Sequence, residues 1–306
     1  MKILMAGEIN VDLILQNYHS FPELGKEVLV DDCFLTLGSA SLICAMGLAK
    51  LGEEVAFLGK IGCDAYGEFC TERMEQGGID VSRVIRDPQI KTGITVSISS
   101  PKDRALVTYL GAITELRGED VPASAMAGFG HVHVSSYFLQ EGLRPSVHDL
   151  FARAHAMGLT TSLDPGYDPS EQWAADILET LRETDVFFPN EVELCAIGRS
   201  SDFETALRAI QNGRTLIVAK LGRQGTMVLK NGKVLHVPAY TVQPVDTTGA
   251  GDSFDAGFLH AWFEKRPLAD ALRFGAACGA LSTRGLGGTA TQATVEEAEN
   301  MIRRAQ

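Results

Sequence analysis

Short apolar runs alternate with helical patterns along almost the whole chain, and this alternation restricts the fold more than any other feature. Ile3 to Gly7, Val55 to Gly59, His131 to Ser135, Thr160 to Asp164, Val186 to Pro189 and Leu216 to Leu221 are runs of strand length. Ser39 to Leu51, Pro145 to Met157 and Glu171 to Arg182 carry helical spacing between or beside them. Strands joined through helices run parallel, and a parallel sheet needs apolar cover on both faces. The predicted fold class is therefore α/β, a three-layer α/β/α core around a mostly parallel sheet. Ligands in such folds bind at the carboxyl ends of the strands.

Two segments break the rhythm. Residues 11–37 and 91–110 have the character of hairpins, clearest in the alternation of Thr95 to Ser99 and of Ala105 to Tyr109. Pro101-Lys102-Asp103-Arg104 supplies the turn between those two runs. Strand pairs inserted into an α/β core predict a small accessory sheet serving as a β lid over the cleft, the alternative being an edge extension without a catalytic part. After Asp252 the pattern becomes almost wholly helical, over Asp252 to Lys265, Leu268 to Thr283 and Val295 to Arg304. Thr294-Val295-Glu296-Glu297 fits a capping box at the last of these. No internal repeat interrupts the series, so residues 1–306 read as one domain carrying the lid.

A formal charge of −12 argues against nucleic acid or an anionic membrane as partner, since both require clustered Lys and Arg. Glu8 and Asp12 fall too early for a secretory leader, and no later run suggests a membrane span. The six cysteines are scattered without a Cys-x-x-Cys pair, as expected of reduced thiols in a cytoplasmic protein.

The densest chemistry lies in Asp246-Thr247-Thr248-Gly249-Ala250-Gly251-Asp252-Ser253-Phe254. Gly249, Ala250 and Gly251 let backbone N–H groups approach a ligand, and the apolar run beyond Phe254 predicts a helix behind them. The orphan donors of a helix N-terminus favour an anion there. Asp252, in the first turn, is placed to accept a proton from an attacking hydroxyl while the N–H groups stabilise charge on the transferred group. Phosphoryl transfer needs that combination.

The extended pattern resembles the ribokinase or PfkB-like family of carbohydrate kinases, and the resemblance runs the length of the chain. Asp246 to Phe254, with Gly257 one turn on, is similar to that family's C-terminal signature. Gly7 to Asp12 resembles its opening strand with the substrate Asp, Gly38 to Gly52 its N-terminal glycine motif, and Gly59 to Gly67 its G-x-x-G-x-D-x-x-G loop. Pro189 to Glu193 contains its Asn-x-x-Glu motif, and Leu221 to Gly225 resembles its nucleotide loop. The resemblance implies an ATP-dependent sugar kinase with Asp252 as base and Gly249, Ala250 and Gly251 forming the anion hole. It implies acceptor contacts from Asn10, Asp12, Gly38 and Ser39, and a nucleotide site lined by Asn190, Lys220, Gly222 and Gly225. It further implies Mg2+ held near Glu193 through water, and a monovalent cation such as K+ between Asp246, the Thr248 carbonyl and residues 284–288. A homodimer through the lid belongs to the same expectation.

One departure bears on specificity. The family's Gly-Gly is Gly38-Ser39 here, and its sugar-binding Asn is Ile43, whose side chain cannot hydrogen-bond a hydroxyl. The acceptor therefore stays open among a small carbohydrate, a sugar phosphate, a nucleoside and 2-keto-3-deoxygluconate. An acid sugar would need a cation such as Arg104, with Lys102 beside it. A nucleoside would need a platform such as Ile43, Phe138 or Tyr109. A non-catalytic sugar- or nucleotide-binding regulator has no need of Asp252, and Gly285-Leu286-Gly287-Gly288 follows a helix rather than a first strand, which removes the dinucleotide reading. His131 and His133 alternate on a strand without a third ligand and are expected to be structural.

Overall fold

The computed structural model describes residues 1–99 and 104–305, Arg104 through its backbone alone. Strand β1 (Lys2–Ala6) leads into β2 (Asn10–Gln16) and β3 (Asp32–Leu37), and helix α1 (Ala40–Lys50) returns the chain to β4 (Glu54–Leu58). Next come β5 (Lys60–Gly62), α2 (Ala65–Gln76), β6 (Ile85–Asp87), β7 (Gly93–Ser99) and β8 (Arg104–Tyr109). The middle of the chain alternates as α3 (Ala123–Met126), β9 (His131–Val134), α4 (Val147–Ala156), β10 (Thr160–Leu163), α5 (Asp176–Thr180) and β11 (Val186–Phe187). Helices α6 (Glu191–Ile197) and α7 (Phe203–Ala209) precede β12 (Leu216–Lys220), β13 (Thr226–Lys230) and β14 (Lys233–Val237). Helices α8 (Ala250–Phe263), α9 (Leu268–Ser282) and α10 (Val295–Arg304) close the chain.

The main sheet has the order β14-β13-β12-β11-β10-β9-β1-β4, parallel from β12 to β4. Its side chains divide by the two-residue period of a strand. Ile3, Met5, Val55, Phe57 and Val218 join a core with residues of α1, α8, α9 and α10. Leu4, Ala6, Ala56, Leu58, Ile217 and Ala219 join a second core with α4, α6 and α7. The three-layer expectation is met. Among the described residues no helix is long and apolar enough to cross a membrane, and all six cysteines are free.

The inserted strands form a separate sheet of order β3-β2-β7-β8. Register puts Asp12 in line with Thr36, Thr95 and Thr108 on one face, and Val11 with Leu37, Ile94 and Tyr109 on the other. The second face continues through Leu13, Leu35, Val96 and Val107 and is apolar along its length.

Two differences from the sequence reading have local causes. The helix expected over Glu171 to Arg182 begins only at Asp176, because Glu171 and Trp173 hold φ of 53° and 46°. Asp168 draws that stretch into a turn, accepting from Ser170 N at 2.9 Å and Trp173 N at 2.7 Å in competition with helical bonding. Strands β13 and β14 form an antiparallel hairpin on the sheet edge around Asn231-Gly232, whose φ values are 52° and 75°. Asn-Gly accepts that left-handed turn without strain.

Candidate active site

Gly249 caps α8 in the left-handed conformation, φ 72°, and offers no side-chain cap to the first N–H groups of the helix. A methyl group at this position would lie 2.7 Å from Gly288 Cα and 2.8 Å from Ile43 Cγ2, so the loop is closed around a residue without a side chain. Ile43 itself is buried, with its end against Gly249 and Gly288. It backs the anion loop instead of lining an acceptor pocket.

Asp252 follows in the first turn, half-buried. Its carboxylate stands within 4.8 Å of those of Asp164 and Asp255. Burial pushes the Asp252 carboxyl up to about 8, the charges of Asp164, Glu8 and Asp12 push the same way, and Lys220 opposes them. A carboxyl in that range is matched to proton transfer near neutrality.

The Lys220 ammonium lies 2.6 Å from Asp164 Oδ2 and 2.9 and 3.1 Å from the two oxygens of Asp255. Burial works against its charge, but the two acids outweigh that effect and raise its pKa well above the ordinary value. One ammonium cannot neutralise two buried carboxylates. Burial raises Asp255, and Lys220 holds Asp164 below its usual range as the ionised partner, against the burial of that group. A side chain at Gly251 would meet Lys220 Nζ at 3.4 Å, which puts the ammonium against the anion loop. Lys220 is thus committed to carboxylates. Asp164, at the end of β10, escaped notice in the sequence; its signal is an acid ending a core strand on the ligand side.

Asn190 and Glu193 form a closed capping box on α6. Asn190 N and Nδ2 donate to Glu193 Oε2 and Oε1 at 2.8 and 2.6 Å, while Asn190 Oδ1 accepts from Val192 N and Glu193 N. Burial, then the charge of Asp164, pushes the Glu193 carboxyl up to about 8. Gly222 and Gly225 hold φ of 52° and 93° in the turn between β12 and β13, and a side chain at Gly225 would strike Val237 O at 2.1 Å.

On β2 of the inserted sheet, Asn10 Nδ2 donates to Asp12 Oδ1 at 3.2 Å. Gly38 makes room for both: a methyl group there would lie 2.1 Å from Asp12 Oδ1 and 2.5 Å from Asn10 Nδ2. Ser39 caps α1 with φ 70°. Asp246 Oδ1 accepts from Thr248 N and Oγ1 at 2.9 and 2.7 Å, and its Oδ2 accepts from Gly287 N at 2.9 Å. One carboxylate therefore ties the anion loop to the 284–288 loop.

Four other candidate residues make none of these hydrogen bonds. His131 and His133 are buried and bonded through Thr160, Ser162 and Ser135, and burial lowers His133 to about 4. Phe138 is buried between Tyr137 and Trp173. Tyr109 belongs to the lid face opposite Asp12. Lys102 and the Arg104 side chain lie outside the described residues.

The model of the pfkB family carbohydrate kinases matches residues 2–294. An ATP-dependent ribose-1-phosphate kinase of Halopiger xanaduensis is 28% identical over 291 residues, covering 92% of each chain. A fructokinase of Klebsiella pneumoniae is 31% identical, covering 82% of this chain and 86% of its own. Among solved structures, an E. coli protein described as a ribokinase II candidate, in complex with ATP and Mg2+, superposes with a TM-score of 0.85 at 23% identity over 99% of both chains.

Proposed function

This chain belongs to the pfkB family of carbohydrate kinases, and on that footing we propose that it transfers the γ-phosphate of ATP to a hydroxyl of a small carbohydrate, with Asp252 as the base. The observation that carries the reading is the half-buried Asp252 in the first turn of α8, directly behind left-handed Gly249. The donors that would stabilise the transferring group and the base that would take the acceptor's proton are thereby fixed by one turn of backbone.

In the proposed mechanism Asn10 and Asp12 orient the acceptor, with Gly38 and Ser39 closing that side. Asp252 takes the proton of the attacking hydroxyl. The N–H groups behind Gly249, Ala250 and Gly251 receive the charge that develops on the phosphoryl oxygens. Gly222 and Gly225 shape the turn that lines the nucleotide, while Lys220 acts on the site through Asp164 and Asp255. The hard oxygen donors of Glu193 and Asp164 suit Mg2+; each oxygen that already accepts a hydrogen bond keeps a lone pair for a metal-bound water. Mg2+ would neutralise phosphate charge there, with Asn190 and Glu193 holding it through water. Asp246, the Thr248 carbonyl and the 284–288 loop are assigned, on the family resemblance, to a monovalent cation such as K+. Strands β2, β3, β7 and β8 act as the lid that excludes water.

The apolar lid face of Leu13, Leu35, Val96 and Val107 supports a homodimer through two lids, since a face of this kind on an inserted sheet is covered most simply by its own copy. A nucleoside acceptor has less support, because Ile43 and Phe138 are buried and Tyr109 points from the other lid face.

An ADP-release screen over neutral sugars, polyols, nucleosides, aldonic acids and sugar phosphates tests the reading. A neutral sugar or polyol giving the fastest acceptor-dependent release is expected. ADP release that no acceptor accelerates would overturn the kinase assignment of this site.

A further inference from the structure

Glu8 lies two residues beyond the end of β1 and is almost wholly removed from solvent, at 3% exposure. Burial raises its pKa against hydrogen bonds from Ser41 and Ser136. A buried carboxylate needs strong partners. Here they come from the first turn of α1, where Ser41 Oγ donates to Glu8 Oε2 at 2.5 Å and Ser41 N donates to Oε1 at 3.2 Å. The Glu8 backbone carbonyl accepts from Ser39 Oγ at 2.7 Å. The fit leaves no slack, since a methyl group on the preceding Gly7 would lie 2.2 Å from Ser41 Oγ.

The helix start held in this way is strained. Ser39 has φ 70° and ψ 125°, a conformation open to glycine and unfavourable for a residue with Cβ. Ser39 follows Gly38, the residue packed against Asn10 and Asp12. If Ser39 relaxed to negative φ, Gly38 would swing relative to those two side chains. The next turn of α1 is anchored separately, because Gln292 Nε2 donates to the Ile43 carbonyl at 2.7 Å. Movement would therefore be confined to the acceptor end of α1 and spare the anion loop that Ile43 backs.

We propose that Glu8 is a positioning residue for the acceptor site: its carboxylate grips Ser41 and so keeps Ser39 in the strained conformation that sets Gly38 against Asn10 and Asp12. The proposal rests on reading those residues as the acceptor site. It explains how this chain tolerates a serine where its sequence motif calls for a second glycine. The strain introduced by Ser39 is offset by a buried carboxylate in the turn between β1 and β2.

The test is a cycle of Glu8→Ala, Ser39→Gly and the double variant, with Glu8→Gln as the conservative control. Acceptor KM (D-ribose and D-fructose as probes), ATP KM and hydrogen exchange of residues 38–43 are read for each. Glu8→Ala should raise acceptor KM by roughly 10-fold or more, with ATP KM within about 2-fold, and should speed exchange in 38–43. Glu8→Gln keeps an acceptor for Ser41 N and should stay within about 3-fold of the parent. Ser39→Gly removes the strain together with the hydroxyl that caps α1, so the double variant is compared with Ser39→Gly alone and should lie within about 3-fold of it in acceptor KM, with equal exchange protection. A Glu8→Ala loss as large in the Ser39→Gly background as in the parent, or equal losses in acceptor and ATP KM, overturns the proposal. If neither sugar is turned over, the exchange cycle decides: rescue by Ser39→Gly upholds the grip, and its absence sinks it. Failure of every acceptor in the parent protein strikes the acceptor-site reading instead, and the two failures are told apart in this way.

Discussion

Lys220 Nζ stands 2.6 Å from Asp164 Oδ2, and the same ammonium holds Asp255 of α8, so one cation pins the helix that carries Asp252 to the end of β10. The anion loop lies directly against it at Gly251. A buried ion triad thus lies directly beneath the glycine loop.

Lys220→Met should leave Asp164 and Asp255 buried without their cation. Breaking a buried pair by removing one partner costs about 3–5 kcal/mol, and the midpoint of urea unfolding should fall accordingly. Asp164→Asn in the same background should recover part of the loss, because the ionised partner left without its cation disappears. Unchanged stability in Lys220→Met would contradict the triad.

The Asp252 and Glu193 carboxyls, each pushed up to about 8 from ordinary values of 3.8 and 4.5, give stability a definite pH slope. Folded-state pKa values above the unfolded ones mean that the folded chain binds more protons between those limits. Stability is then full below about pH 4 with respect to these groups and is lost as pH rises toward about 8. Thermal midpoints without ATP and Mg2+ should fall from pH 5 to pH 8, counting these groups, and Asp252→Asn should flatten the slope. The same shift puts the acid limb of kcat/KM, which reports the free enzyme, well above the usual carboxylate range. A limb near 4 would be incompatible with the burial of Asp252.

Asp246→Ala removes the acceptor for Thr248 N, Thr248 Oγ1 and Gly287 N together. Leaving such donors unsatisfied costs about 1–3 kcal/mol each when buried and less at this half-buried site. The expected kinetic result is a response of kcat to K+ that is flattened relative to the parent protein. An identical K+ titration in the variant would remove Asp246 from the cation site.

Gly38→Ala places a methyl group 2.1 Å from Asp12 Oδ1 and 2.5 Å from Asn10 Nδ2. Acceptor KM should rise by about 10-fold or more with ATP KM nearly unchanged, the signature of lost acceptor binding. Equal effects on both substrates would place Gly38 elsewhere in function.

Much of this was legible in residue order because the informative features are local. Strand-helix alternation announces the layered sheet, and the pairing of β2 with β3 and of β7 with β8 follows from the alternation in residues 11–37 and 91–110. The edge hairpin carried a visible signal in Asn231-Gly232 that the α/β rhythm overshadowed. What sequence could not supply is contact between distant residues. Lys220 reads as a nucleotide ligand until Asp164 and Asp255, 56 and 35 residues away, are seen to take its charge. Ile43 reads as a change in the acceptor pocket until Gly249 and Gly288 are found against it. The answer to the missing glycine at Ser39 lies 31 residues upstream at Glu8.

Asp252→Asn, assayed for phosphoryl transfer in parallel with ATP binding, bears most directly on the proposed chemistry. The substitution keeps the side chain's size and removes its capacity to accept a proton. Turnover should drop by about 10²–10⁴-fold, the range for loss of a general base, while the Kd for ATP with Mg2+ stays within about 2-fold. Near-parent turnover in this variant would show that Asp252 is not the base.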